Sequence, residues 1–139
     1  MKNSFKFFIS RLLIKLHLSK FFIITQKYYN LRFYPSILSR ELWINPKYLE
    51  IYWKYRTEFF WKYLLPGDVV VDIGSHIGTV TLESAAKVGN SGKIYSIEAH
   101  PKIFKFLNGN ISLNRFQNIR TFNLALCDTS KILTFSDLH

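Results

Sequence analysis

Apolar and polar residues alternate in a regular order in the second half of the chain. Short apolar runs of strand length, several rich in β-branched residues, are separated by longer segments with apolar residues at helical spacing. Strands that alternate with helices of 10–15 residues predict βαβ units and a parallel sheet, so we expect an α/β fold. The predicted strands are Val69–Ile73, 93–98, 119–124 and a short one at 131–135, and the predicted helices are 77–88 and 100–113.

The first half of the chain has a helical pattern. Within residues 5–16, apolar side chains recur at intervals of three and four residues, which predicts an amphipathic helix. A second helix is expected over residues 47–65, where an apolar or aromatic residue recurs every fourth position, and Pro46 marks the break before it. We therefore expect two parts, a basic aromatic helical extension over residues 1–46 and an α/β domain over residues 47–139.

Positive charge is concentrated in the first half. Residues 1–66 contain 12 of the 19 Lys and Arg residues but only three of the nine acidic ones, and 18 of the 24 aromatic residues. A basic amphipathic helix packs on its own domain or a partner, or it lies on an anionic membrane surface, and both alternatives stay open. Interleaved aromatic residues also suit RNA, but no RNA-binding motif accompanies them, so we expect no nucleic-acid partner.

Neither a membrane span nor a signal peptide is expected at the N-terminus, because charged residues such as Arg11 and Lys15 interrupt the apolar runs. Cys127 is the only cysteine, which fits a reducing compartment, so we expect a cytoplasmic protein, peripheral at the membrane if the basic helix binds lipid. The four histidines are scattered, so we expect no metal site.

A turn with two glycines follows the first predicted strand of the α/β part. Asp72 stands at the end of the strand, and Gly74 and Gly78 follow it. The spacing differs from the G-x-G-x-x-G pattern of dinucleotide sites, and a carboxylate would repel a pyrophosphate. An acid suits the ammonium and sulfonium groups of S-adenosylmethionine instead. No P-loop lysine follows, which argues against a nucleoside triphosphate.

Two further acids follow the next predicted strands. Glu98 lies 26 residues after Asp72 at the end of the second strand, where a carboxylate accepts hydrogen bonds from both ribose hydroxyls of a nucleoside. Asp128, just past the third strand, is either a contact for the adenine amino group or a turn acid. His76 either faces the ligand or is a loop histidine, and the residues alone leave both interpretations open.

The chain resembles the FkbM family of S-adenosylmethionine-dependent methyltransferases. The resemblance rests on residues 65–78, residues 92–101, residues 107–114 and residues 123–128, in the family's order and spacing. It implies a Rossmann-like fold, O-methylation of a sugar or natural product, and a small-molecule or glycan acceptor. The family usually has Ala-Asn where this chain has Ser75-His76. The cofactor residues implied are Asp72, Gly74, Ser75, His76, Gly78, Glu98, Ala99 and, for the adenine region, Asp128.

Members of that family continue with further strands and an acidic Asp-x-Glu-Gly segment, which does not follow Asp128. The expectation is therefore a truncated methyltransferase fold, weakly active or inactive alone. The alternative is a non-catalytic remnant that binds a membrane surface or a partner. The sequence identifies no general base, so the catalytic residues stay unassigned.

Overall fold

The computed structural model describes residues 12, 23–26, 29–34, 54–55, 58, 62–132 and 134. Its regular elements are five strands and two helices whose bounds can be given within these residues. In chain order they are β1 (Ile24–Gln26), β2 (Leu31–Phe33), β3 (Val69–Ile73), α1 (Thr79–Val88), β4 (Lys93–Ile97), α2 (Pro101–Asn114) and β5 (Ile119–Phe122).

The second half of the chain forms the predicted βαβ units. Strands β3, β4 and β5 form a parallel sheet in that order, with α1 and α2 as the crossovers between them. In the register of β3 and β4, Asp72 lies beside Ser96. Parallel strands end at the same edge of a sheet, so the turn after β3 and the residues after β4 and β5 lie along one edge. The predicted α/β fold is confirmed.

Some predicted bounds differ from the observed ones. Helix α1 begins at Thr79 rather than at residue 77, because His76 and Gly78 both have left-handed backbone angles that a helix does not accept. Strand β5 ends at Phe122 instead of residue 124. The fourth strand expected over residues 131–135 is wrong at Lys131, Ile132 and residue 134, which are irregular, and its other residues lie outside the described part.

The helices cover one face of the sheet. Ile94 is buried against Ala85 and Val88 of α1, and Val70 and Ile119 pack beside them. On the opposite face Val69, Val71 and Ile73 are 63%, 57% and 62% exposed. The apolar alternation of β3 therefore produces one packed row and one exposed row in the described structure.

The N-terminal extension contributes a β-hairpin to this core. Strands β1 and β2 pair antiparallel, and Asn30 takes the positive φ of 56° that the tight turn between them requires. Leu31 and Phe33 of β2 are buried in a cluster with Ile77. The predicted helical character of residues 1–46 is thus wrong at 24–26 and 31–33, which are strands, while the division after residue 46 stays a prediction.

The other predicted N-terminal elements are described only at single positions. Leu12 is helical, and so are residues 54, 55, 58, 62 and 63, in agreement with the helices expected over 5–16 and 47–65. The second helix was predicted to reach residue 65, which is wrong at Leu64 and Leu65, because both are irregular. The other residues of the two predicted helices lie outside the described part. Of the helices within the described residues, none has the length and apolar character to cross a membrane.

Candidate cofactor site

The turn between β3 and α1 is fastened to the end of β4 by backbone hydrogen bonds. The amides of Gly74 and Ser75 both donate to the carbonyl of Ile97, at 2.9 and 3.0 Å. The amide of Gly78 closes the turn by donating to the carbonyl of Ser75 at 2.8 Å. The predicted turn therefore has one defined backbone path at the carboxyl edge of the sheet, which is where open α/β sheets bind ligands.

Three residues of the turn are left-handed. Gly74, His76 and Gly78 have φ of 75°, 52° and 91°. Histidine and asparagine are among the few residues with a side chain that are enriched in this region. His76 therefore adopts a conformation that is also favourable for asparagine, the residue usual at this position in the FkbM family. Its backbone conformation makes His76 a turn-forming residue, whatever its ring contacts.

The two glycines of the motif have different surroundings. A Cβ on Gly78 would lie 2.7 Å from the buried side chain of Leu107, so α1 approaches α2 at this point more closely than an alanine allows. A Cβ on Gly74 would meet nothing within 4 Å. Gly78 is therefore required by packing, and Gly74 borders open space at the sheet edge.

The carboxylate of Asp72 is held by a chain of buried hydroxyl groups. The hydroxyl of Thr81 in α1 donates to Asp72 Oδ2 and lies 2.7 Å from the hydroxyl of Ser96. Ser96 in turn lies 2.7 Å from the hydroxyl of Ser75, which donates to the backbone carbonyl of Asp72 at 2.8 Å. Since these three hydroxyl residues are at most 3% exposed, they fix Asp72 from the inside of the protein.

Glu98 joins the loops that follow β3 and β4. Its Oε2 accepts the backbone amide of His76 at 2.9 Å, and its Oε1 accepts the amide of His100 at 2.8 Å. Glu98 is only 9% exposed, so it is not the exposed strand-end charge that such a position often carries. A carboxylate has about four acceptor positions, so two backbone amides leave it capacity for the hydroxyls of a ribose.

The segment after β5 supports the same edge of the sheet. The side-chain amide of Asn123 donates to the carbonyls of Glu98 and Ala99, at 2.8 and 3.0 Å. It thereby holds the backbone of two predicted cofactor residues, of which Glu98 is the one expected to bind the ribose. Asp128, in contrast, is exposed, and its carboxylate accepts a 3.4 Å hydrogen bond from the neighbouring Thr129.

The structure thus brings seven of the eight predicted cofactor residues together at one edge of the sheet, and Asp128 has no hydrogen bond to them. The seven are Asp72, Gly74, Ser75, His76, Gly78, Glu98 and Ala99. Sequence reasoning missed four polar residues that hold the site from behind. The sequence contained two signals for them. Ser96 places a hydroxyl on a buried strand two residues before Glu98, and Asn110 places an amide on the apolar side of a helix. The missed residues are Thr81, Ser96, Asn110 and Asn123.

The composition of the site fits S-adenosylmethionine better than a dinucleotide. Between Asp72 and Thr81 the turn contains no Lys or Arg. Two carboxylates border it, since Asp72 lies on β3 and Glu98 directly follows the neighbouring strand β4. A pyrophosphate would be repelled, whereas a ligand with an ammonium and a sulfonium would be attracted. The open space at Gly74 leaves room for the ligand beside the turn.

Proteins with similar sequences and structures are methyltransferases and related transferases. The chain is 39% identical over 57 residues to a ribosomal protein L11 methyltransferase from Carboxydothermus hydrogenoformans, a match that covers 41% of this chain and 18% of that protein. The structure resembles a transferase from Pyrococcus horikoshii, with TM-score 0.52 and 24% identity over 74% of this chain and 36% of that one. It also resembles an rRNA methylase from Clostridium thermocellum, with TM-score 0.50 and 16% identity over 52% and 41% of the two chains.

The two structural likenesses support the α/β fold. The chain spans less than half the length of each of the three proteins. The FkbM family itself is not shown by the comparisons. The family model that matches is that of the TRM5/TYW2 methyltransferase domain, over residues 55–133. It confirms the predicted methyltransferase class and its cofactor, S-adenosylmethionine. Because the match covers more than half of the sequence, the chain belongs to the TRM5/TYW2 methyltransferase domain family.

Proposed function

We propose that this domain binds S-adenosylmethionine at the turn after β3 and supports methyl transfer to RNA. The observation that carries the binding site is the pair of carboxylates, Asp72 and Glu98, at the ends of adjacent strands, with open space at Gly74 beside them. Both carboxylates are held by hydrogen bonds within the protein, so they are in place before a ligand arrives.

The residues of the site have separate roles in this proposal. Glu98 accepts the ribose hydroxyls while its backbone partners keep it oriented, and the negative charge of Asp72 attracts the methionine end. The bound cofactor supplies an electrophilic methyl group, which leaves its sulfonium for the acceptor atom. The protein's contribution is placement in line with that acceptor, which lowers the entropic part of the barrier.

Family and charge support RNA as the acceptor. The TRM5/TYW2 family acts on tRNA. Residues 1–66 contain 12 of the 19 basic residues, and the formal net charge of the chain is +10, so its electrostatic field attracts a polyanion. RNA therefore replaces our first expectation that the chain has no nucleic-acid partner.

A second candidate is O-methylation of a sugar or natural-product hydroxyl. It is favoured by the FkbM-like order of segments, above all the turn from Asp72 to Gly78 and the Glu98 strand end. The cofactor site serves either acceptor equally well, since the turn binds the donor and not the acceptor. The two candidates therefore differ only in what is methylated.

Transfer of tritium from methyl-labelled S-adenosylmethionine tests the proposal, with unmodified tRNA and a mixture of oligosaccharides as separate acceptors. We expect weak incorporation into RNA that is lost in Gly74→Ala, whose new methyl group would enter the open space. Gly89→Ala is the matched control, because Gly89 has a similar φ of 68° and equally empty surroundings at the far end of α1. Incorporation into oligosaccharides alone would favour the second candidate, and incorporation into neither would refute methyl transfer by this chain.

A cytoplasmic location and binding of the basic extension to anionic membranes also stay proposals. Flotation with vesicles containing phosphatidylserine tests the second. If the chain binds no better than a variant with Lys6, Arg11 and Lys15 changed to Glu, the membrane proposal fails.

A further inference from the structure

The carbonyl of Ile77 needs a hydrogen-bond donor from outside the turn. Ile77 is fully buried, and it stands between His76 and Gly78, both of which have left-handed backbones. Its carbonyl precedes the first residue of α1 and so lies outside the helical ladder. A buried carbonyl that lost its donor would pay its full desolvation cost, or the turn would shift to reach water.

Asn110 of α2 supplies that donor. Its side-chain Nδ2 donates to the Ile77 carbonyl at 2.8 Å, and the side chain is fully buried. The bond spans 33 residues of sequence and connects α2 directly to the middle of the cofactor turn. It is thus a tertiary contact to the turn from a residue of the 107–114 segment that is not among the predicted cofactor residues.

The N-terminal hairpin orients the Asn110 amide. The backbone amide of Tyr34, just after β2, donates to Asn110 Oδ1 at 2.6 Å. With the oxygen of the amide committed to this donor, the NH₂ group is directed to Ile77. Leu31 and Phe33 of the same hairpin pack in the cluster that contains Ile77. The hairpin therefore supports Ile77 in two ways, by direct apolar packing and through the hydrogen bonds of Asn110.

We propose that Asn110 is a positioning residue for the cofactor turn: it fixes the backbone around Ile77 and so keeps Gly74, His76 and Gly78 in the geometry that binds S-adenosylmethionine. The proposal rests on the proposed cofactor site. It assigns to Asn110 a role in cofactor affinity that acts through the backbone of the turn and requires no contact with the cofactor.

The chain contains a matched control one helical turn further on. Asn114 also pairs with the hairpin: its Oδ1 accepts the amide of Arg32 at 2.8 Å, and its Nδ2 donates to the Arg32 carbonyl at 2.6 Å. Asn114 also donates to the carbonyl of Asn110 within α2, at 2.7 Å, and none of its bonds goes to the turn. Asn114→Ala therefore removes a comparable contact between α2 and the hairpin while the donor to Ile77 stays in place.

The test measures S-adenosylhomocysteine affinity by calorimetry in Asn110→Ala, Asn110→Asp and Asn114→Ala, each first shown to be folded by circular dichroism. Asp keeps the acceptor for Tyr34 and loses the donor to Ile77. We expect both Asn110 variants to bind about tenfold more weakly, equivalent to ~1.4 kcal/mol, and Asn114→Ala to stay within about twofold of the parent. Unchanged affinity in a folded Asn110→Ala, or equal weakening in Asn114→Ala, would overturn the proposal.

Hydrogen exchange without ligand separates this proposal from that of the cofactor site. We expect the peptide that contains residues 74–78 to exchange about tenfold faster in Asn110→Ala than in the parent or in Asn114→Ala, because the turn opens more often once Ile77 has lost its donor. If the parent fails to bind S-adenosylhomocysteine but shows this difference, the cofactor site is wrong and the structural coupling of Asn110 to the turn holds. Equal exchange in all three proteins refutes the coupling.

Discussion

The turn after β3 and the segment after β5 are both predicted to line the cofactor, yet they are built differently. The turn is held by hydrogen bonds from two neighbouring elements, with the end of β4 on one side and Asn110 of α2 on the other. From Asn123 to Ile132 the second segment has no regular structure, and Leu126 and Ile132 are 56% and 98% exposed. A ligand would meet a preformed surface in the first region and an exposed chain in the second.

This difference shows why the motif of the turn is informative. Gly78 is required by the close approach of Leu107, and Glu98 ties two loops together, so the same residues that would bind a ligand also determine the local fold. Within the described residues Asp128 connects no two elements, since its carboxylate accepts a hydrogen bond only from the adjacent Thr129. Four substitutions sharpen the comparison, from the largest expected effect to the smallest.

Gly78→Ala should be the most damaging change. The new methyl group would overlap the Leu107 side chain, and alanine would have to adopt a φ of 91°. Left-handed strain of ~1–2 kcal/mol and overpacking of ~1–3 kcal/mol add up to a loss of about 2–5 kcal/mol, measured by urea denaturation. Gly74→Ala is the control, because it has the strain without the overlap and should lose only the first part. Equal losses in the two variants would contradict the packing role of Gly78.

Glu98→Gln should have the next largest effect. Glutamine has one acceptor oxygen, so its NH₂ group would face the backbone amide of either His76 or His100. Loss of one hydrogen bond to a charged acceptor corresponds to ~1.5–3 kcal/mol of stability, and affinity for S-adenosylhomocysteine should fall as well. Both quantities follow from one thermal-unfolding series with and without ligand. A stable variant with undiminished affinity would show that Glu98 neither holds the two loops together nor binds the ribose.

Thr81→Val removes the hydroxyl that links Asp72 to Ser96 without changing the shape of the side chain. The two groups it contacts lie behind the turn and would be left with one partner fewer. We expect a loss of ~1–3 kcal/mol in unfolding free energy, since the Ser96 hydroxyl is fully buried and the contact with Asp72 is partly buried. Thr129→Val, in the exposed segment, removes a 3.4 Å hydrogen bond and should leave the urea midpoint unchanged. If the midpoint shifted as much in Thr129→Val as in Thr81→Val, the turn after β3 would not be more firmly held than the segment after β5.

Asp128→Asn should have the smallest effect on stability, within ~0.5 kcal/mol, because the side chain is exposed. It makes the same change of charge as Glu98→Gln and is therefore its natural comparison. If Asp128 contacts the adenine amino group, affinity for S-adenosylhomocysteine should still fall severalfold, which calorimetry resolves. An unchanged dissociation constant would show that Asp128 does not contact the adenine and is a turn acid.

Much of the α/β part was predictable because its signals are local. A β-branched run, two glycines at fixed spacing and an acid at each strand end are visible in the sequence, and the structure places Asp72, Gly74, Gly78 and Glu98 along one edge of the sheet. The hairpin was missed because β1 and β2 are three residues each, too short for a periodic pattern, and depend on packing against α2.

The supporting polar residues were missed for a related reason. Ser96 and Thr81 look like ordinary strand and helix residues until the register of β3 and β4 brings Ser96 beside Asp72. Asn110 stands on the apolar side of its helix, but the carbonyl it contacts lies 33 residues away, and a local pattern does not identify that partner. The turn favoured S-adenosylmethionine over a dinucleotide, and the methyltransferase class was predicted from the resemblance of four segments in order. The narrower family and the acceptor depend on parts of the protein that the turn does not contact.

Calorimetric titration of the unmodified chain with S-adenosylhomocysteine tests the central claim most directly. The carboxylates of Asp72 and Glu98 and the open space at Gly74 predict saturable one-to-one binding with a dissociation constant of about micromolar order, roughly −8 kcal/mol. A chain that is folded by circular dichroism and shows no saturable heat of binding would contradict a cofactor site at this turn.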